Sequence, residues 1–231
     1  IITNEPLRVQ FLTTHRRFDG RFEYILGRPH IFVNDHGSRN GGRTRFTVAH
    51  ELGHYFLHRH LLRRNGAFQD SCISLSETSK QHEREANEFA SELLLPSKLI
   101  RNSLSGRYLT LQYVAEIAEH AVTSLAATAI QVARITSDRV CFLWEEEGLV
   151  SWAAPSERWI TSKLPWSGFR GSPPPPDTLA SRGAGEYTES ETAFQIWCPN
   201  HRGGNGSIVE AATATPYGRL IFLIATFSSD Y

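Results

Sequence analysis

The sequence predicts an α+β protein in two parts: a mostly helical first part, then a small mixed unit of strands and helices from about residue 138. Three observations lead there. Apolar residues recur at helical spacing through residues 44–58, 80–95 and 109–135. The composition changes after Ser137. Short β-branched and aromatic runs, separated by turn residues, then continue to the C-terminus.

In chain order, Ile31-Phe32-Val33-Asn34 reads as a short strand ending in a turn, and the polar, glycine-rich stretch from Asp35 to Gly42 as a loop. A helix is expected from Thr44 to about His58. A second runs from about Lys80 to Leu95, where Pro96 stops it. Leu109 to Ile135 gives two more helical segments, broken near Val122-Thr123-Ser124. Val140–Trp144 and Leu149–Trp152 flank Glu145-Glu146-Glu147-Gly148, which reads as a hairpin. Further strands are expected at Thr192–Trp197, Ser207–Thr213 and Leu220–Phe227, with Pro216-Tyr217-Gly218 turning between the last two. Pro173–Pro176 reads as an exposed polyproline loop. The expected division is a first domain over 1–97, a helical segment over 98–137, and an α+β domain over 138–231.

The bulk numbers exclude some classes. With 40% apolar and 21% charged residues in 231, the chain has the composition of a globular protein with a real core. Basic and acidic residues balance at 24 each, so no global charge argues for nucleic acid or an anionic membrane. The longest strongly apolar run, Leu220–Phe227, is too short to cross a bilayer. The first residues lack the basic-then-apolar pattern of a signal peptide. There is no methionine, so Ile1 is not a translation start and a native segment is expected before it. Cys72, Cys141 and Cys198 are odd in number and scattered, which predicts reduced thiols and a cytoplasmic protein rather than a disulfide framework.

His50-Glu51-Leu52-Gly53-His54 matches the H-E-x-x-H pattern. At ~100° per residue the two histidines fall within about 40° of each other on one helix face. Val48, Ala49, Leu52, Tyr55 and Phe56 cover the opposite arc. A helix packed by one face and presenting two imidazoles from the other is what a zinc site requires. Glu51, between them, can take a proton from a water that the metal activates. His58, one turn further on, is expected to support the ligands or lie at the surface rather than bind metal.

Catalytic zinc usually takes three protein ligands. His60 would extend the pattern, but Leu57 stands where a glycine would have to turn the helix. The second helix offers the rest. Its apolar arc is Ala86, Phe89, Ala90, Leu93 and Leu94. Glu83 projects inside that arc, whereas Glu85, Glu88 and Glu92 project to the solvated side. An acid on a packed face needs a partner, and a metal is a good one. Glu83 is therefore the expected third ligand, with His82 as its rival and Asn87 placed to orient a ligating histidine.

Arg43-x-Arg45-Phe46-Thr47-x-Ala49 leading into that motif, preceded by Ile31-x-Val33-Asn34 and followed by Glu83-x-x-Ala86-Asn87-x-Phe89-Ala90-x-x-Leu93-Leu94-x-Pro96, resembles the ImmA/IrrE family of metallopeptidases. The resemblance is strong over residues 30–96, weaker to about Ser137, and touches Glu210 and Pro216-Tyr217-Gly218 further on. Leu95 departs from it, standing where methionine is usual. The resemblance implies a minimal zincin-like domain with His50, His54 and Glu83 as ligands and Glu51 as general base. It also implies cleavage of a helix-turn-helix repressor that frees stress-response or mobile-element genes, and a GAF-like sensor domain over 138–231.

The expected function is thus a zinc endopeptidase, with manganese as the alternative metal. Leu109–Ile135 carries one basic residue, Arg134, beside Glu116 and Glu119, so it is read as packing helices rather than a DNA-binding surface. The strand Ile31–Asn34 is expected to be an edge that holds substrate by strand addition. Two rivals are a catalytically silent metal-binding regulator that binds a repressor or a small-molecule signal, and a DNA-binding regulator. The intact Glu51 argues against the first and the neutral charge against the second.

Overall fold

The computed structural model describes residues 6–13, 18–35, 41–61, 77–183, 187–199 and 206–227. Cys72 and most of the Asp35–Gly42 loop lie outside them. The chain divides into two compact units, residues 1–96 with 121–124, and residues 97–120 with 125–231. None of the described helices is long and apolar enough to cross a membrane.

The first unit opens with three strands, β1 (Arg8–Leu12), β2 (Gly20–Ile25) and β3 (Arg28–Asn34). They form a sheet in the order β1-β3-β2, with β3 parallel to β1 and antiparallel to β2. β2 and β3 join through Leu26 and Gly27, both at positive φ, as a two-residue hairpin turn requires. The strand predicted at Ile31–Asn34 is therefore present, but it starts at Arg28 and is central rather than an edge. The two flanking strands were not predicted. β1 is exposed along its whole length, although Arg8-Val9-Gln10-Phe11 alternates polar and apolar residues.

Two helices complete this unit, α1 (Gly42–Gly53) and α2 (Glu77–Leu94). Val48, Leu52 and Tyr55 pack on Phe22, Ile31 and Val33 of the sheet, with Tyr55 edge-on to Phe22 at 5.6 Å. The predicted helix does not stay α-helical to His58: from His54 to His58 it widens into one π turn. Phe56 consequently leaves the sheet side, is 55% exposed, and sits against Phe89 of α2 at 5.8 Å. At Gly53 the two helices touch. A Cβ there would lie 3.0 Å from the Ala86 Cα and 3.1 Å from its carbonyl oxygen.

The second unit begins with α3 (Ser97–Leu104), α4 (Leu111–Ala121) and α5 (Leu125–Ile135). The predicted break falls between α4 and α5, where Val122 takes positive φ in the short stretch counted with the first unit. An antiparallel sheet follows: β4 (Val140–Glu146), β5 (Leu149–Pro155), β6 (Glu189–Ala193), β7 (Gly206–Thr215) and β8 (Gly218–Phe227), in the order β5-β4-β8-β7-β6. α5 lies against β4 and β5 and buries Ala129, Val132 and Ala133. The opposite face carries Cys141, Leu143, Trp159, Phe194, Trp197, Ile208 and Leu223. Coverage on both faces explains why β4 and β8 read as continuous apolar runs.

Short helices α6 (Glu157–Thr161) and α7 (Leu179–Arg182) connect the strands, capped by Ser156 and Thr178. The predicted strand at Thr192–Trp197 holds only for Thr192 and Ala193. It ends at Ala193, and Phe194–Trp197 forms a single helical turn, α8. That turn brings Phe194 and Trp197 to the same side, and both are buried. Burial pushes the Cys141 thiol upward and the Cys198 thiol up to about 12, so both are packing groups rather than nucleophiles.

Candidate metal centre

α1 supplies the first two groups. His50 and His54 stand one turn apart, their Nε2 atoms 3.0 Å from each other. α2 crosses so that Glu83 closes the triangle, with Oε2 3.3 Å from His50 Nε2 and Oε1 3.3 Å from His54 Nε2. One ligand atom from each residue lies within 4.8 Å of the other two, and among the described residues these three form the only such cluster. Glu83 faces α1 as the helix periodicity expects, but at the rim of the helix pair, with its side chain 40% exposed.

The electrostatics fit a cation. Without a metal, Nε2–H groups of His50 and His54 donate to Glu83 and hold its carboxyl well below the usual carboxylate range, a place that a cation would take over. Burial alone would lower the His50 imidazole. The bond to Glu83, the charges of Glu51 and Glu83, and Asn87 outweigh burial and raise it. Two imidazole nitrogens and a carboxylate at this spacing call for a positive charge among them. A tetrahedral ion with bonds of about 2.0–2.1 Å sets its ligand atoms about 3.3 Å apart, close to the spacing found.

The surroundings fix the ligands. Asn87 Oδ1 lies 3.0 Å from His50 Nδ1, as expected of it; Nδ1–H donates, leaving Nε2 to face the site. Glu51 is buried at 2% exposure on the same helix. β2 comes within contact of it: a Cβ on Gly20 would stand 2.5 Å from Glu51 Oε1 and 2.5 Å from Thr47 Cγ2. The start of β2 is tied to α1 by an exposed pair between Asp19 and Arg43 at 2.7 Å.

Of the rival ligands, His60 is exposed and outside the cluster, and the His82 ring lies 4.5 Å from that of His58, tilted by 42°. Glu88 and Glu92 are exposed as expected, but Glu85 is not merely a solvated group. Its Oε2 lies 2.9 Å from His58 Nε2, and Gln81 donates to its Oε1 at 2.8 Å. These two bonds hold the Glu85 carboxyl below its ordinary value, while burial lowers His58. The sequence carried no direct signal for this contact, because it depends on the π turn that sets His58 beside His54 and α2. Gly20 was missed for a related reason: its role rests on a strand–helix approach that no local pattern encodes.

Residues 8–132 match the IrrE N-terminal-like domain of the Peptidase M78 family. The chain belongs to that family. Over 69 residues it is 38% identical to the metallopeptidase ImmA of Bacillus subtilis (strain 168), a stretch amounting to 30% of this chain and 38% of that protein. The chain thus matches well under two thirds of that relative's length. A Mycobacterium tuberculosis transcriptional regulator of known structure superposes with a TM-score of 0.57 at 14% identity, covering 95% of this chain and 66% of the other. At that identity the likeness shows the fold alone. Membership of a metallopeptidase family implies a metal, and His50, His54 and Glu83 form the candidate site for it.

Proposed function

We propose that this protein is a zinc endopeptidase that cleaves a helix-turn-helix repressor in the cytoplasm. The observation that carries the reading is the convergence of His50, His54 and Glu83 with the buried carboxylate of Glu51 alongside. Zinc held by these three residues would polarise the scissile carbonyl and acidify the attacking water. Glu51 accepts the proton from that water and returns it to the leaving amine. Low exposure of Glu51 favours this role, because its carboxylate is kept from bulk solvent and open to one positioned water.

Substrate binding belongs to β2 rather than β3. β2 is an edge of the described sheet, and Gly20 brings its start against Glu51. A peptide added to this edge lies beside the base, and the absence of a side chain at Gly20 is what lets β2 approach Glu51 and Thr47 so closely. The second unit we assign to regulation, as a GAF-like sensor. A cleft of about 440 Å³, lined by Phe169, Ile196, Trp197, Lys163 and the polyproline run, has the size of a small-molecule site.

The test is mass spectrometry of a neighbouring-gene repressor before and after incubation with the protein and zinc or manganese. Two fragments whose masses sum to the intact repressor plus one water are expected. An intact repressor with both metals would contradict the reading.

A further inference from the structure

From the contacts behind His54 we infer that His58 and Glu85 form a positioning relay that fixes the proton of the His54 imidazole on Nδ1 and so leaves its Nε2 for a metal. The inference rests on the proposed metal centre and adds two residues to it. His54 Nδ1 lies 3.0 Å from His58 Nδ1, and His58 Nε2 lies 2.9 Å from Glu85 Oε2. The His58 side chain is 4% exposed, and the His82 ring covers it at 4.5 Å.

With a metal between His50, His54 and Glu83, one arrangement of protons satisfies the chain. An ionised carboxylate only accepts, so His58 Nε2 carries hydrogen and donates to Glu85. His58 Nδ1 then holds a lone pair and accepts from His54 Nδ1–H. His54 Nε2 is left unprotonated, facing His50 Nε2 and Glu83 Oε1. The opposite His54 tautomer would aim an N–H into the ligand cluster and set two lone pairs against each other at 3.0 Å. Gln81, donating to the other Glu85 oxygen, anchors the far end. His54 and His58, four residues apart at the two ends of the π turn, stand in nitrogen-to-nitrogen contact. His50 reaches the same state through Asn87, so each imidazole has its own orienting partner.

The experiment measures zinc affinity by chelator competition, and the visible spectrum after cobalt substitution, on the full chain and its variants. His58→Leu and Glu85→Ala are expected to weaken zinc binding by about 10–100-fold and to shift the cobalt bands. His58→Asn, whose amide oxygen can stand in for Nδ1, is expected to recover most of that loss. Glu88→Ala, on the exposed side of the same helix, should change neither readout. If His58→Leu does not fold, Glu85→Ala decides alone, because its 40%-exposed side chain contributes little packing. Wild-type affinity and spectrum in Glu85→Ala overturn the relay, as does His58→Asn being as weak as His58→Leu. Glu83→Ala separates the two levels: zinc lost there but retained in Glu85→Ala overturns the relay alone. Zinc retained in Glu83→Ala, or not bound by the wild type, overturns the metal centre and the relay with it.

Discussion

At the scale of residues, the candidate centre separates groups that would hold a metal from one that would move a proton. His50, His54 and Glu83 face one another, while Glu51 is sealed beneath β2. Replacing Glu51 by Gln keeps the shape and removes only the basicity. Glu51→Gln is therefore expected to fold normally and retain its metal, but to lose about 10²–10⁴-fold in cleavage rate. Time courses of repressor cleavage, with circular dichroism and metal analysis on the same sample, check this. Cleavage near the wild-type rate would remove Glu51 from the mechanism. The motif made these residues legible, because i,i+4 spacing on a helix is a local property. Glu85 was misread for the converse reason. Helix periodicity places a residue relative to its own axis and says nothing of a partner delivered by another helix.

At the scale of elements, Gly53 decides how closely α1 and α2 approach. A side chain there meets the backbone of Ala86, which can yield only by moving the whole helix. Gly53→Val is expected to cost about 1–3 kcal/mol from overpacking and to draw Glu83 away from the histidines, lowering metal affinity as well. Urea denaturation and zinc competition measure the two effects; an unchanged midpoint together with unchanged affinity would contradict the role. Strong periodic helices and the β4–β5 hairpin could be read from sequence because their signals are local. The order β1-β3-β2 could not, since it is set by non-local pairing; β1 alternates polar and apolar residues from Arg8 to Phe11 yet is exposed throughout. At Phe194–Trp197 an apolar run continuous with a strand hid a helical turn, formed where Trp197 Nε1 donates to the buried Glu210.

At the scale of the molecule, α5 belongs physically with the sheet it covers. Its residues Ala129, Val132 and Ala133 are almost fully buried, and it lies on β4 and β5. A cut at Ser137, where the composition changes, would strip that cover. We therefore propose that residues 97–231 are the regulatory piece, and expect a 97–231 fragment to be more stable than a 138–231 fragment by several kcal/mol, on the order of the cost of exposing three or four apolar side chains. Urea midpoints and dye binding to exposed apolar surface test this. A 138–231 fragment as stable as the longer one, and equally free of dye binding, would contradict it.

Two helices, α1 and α2, are proposed to hold one metal between them. Metal analysis by inductively coupled plasma mass spectrometry on the full chain tests this most directly, with wild type, Glu83→Ala and Glu51→Gln purified in parallel. About one zinc per chain is expected in the wild type and in Glu51→Gln, with most of it lost in Glu83→Ala. Full zinc occupancy in Glu83→Ala would contradict the account.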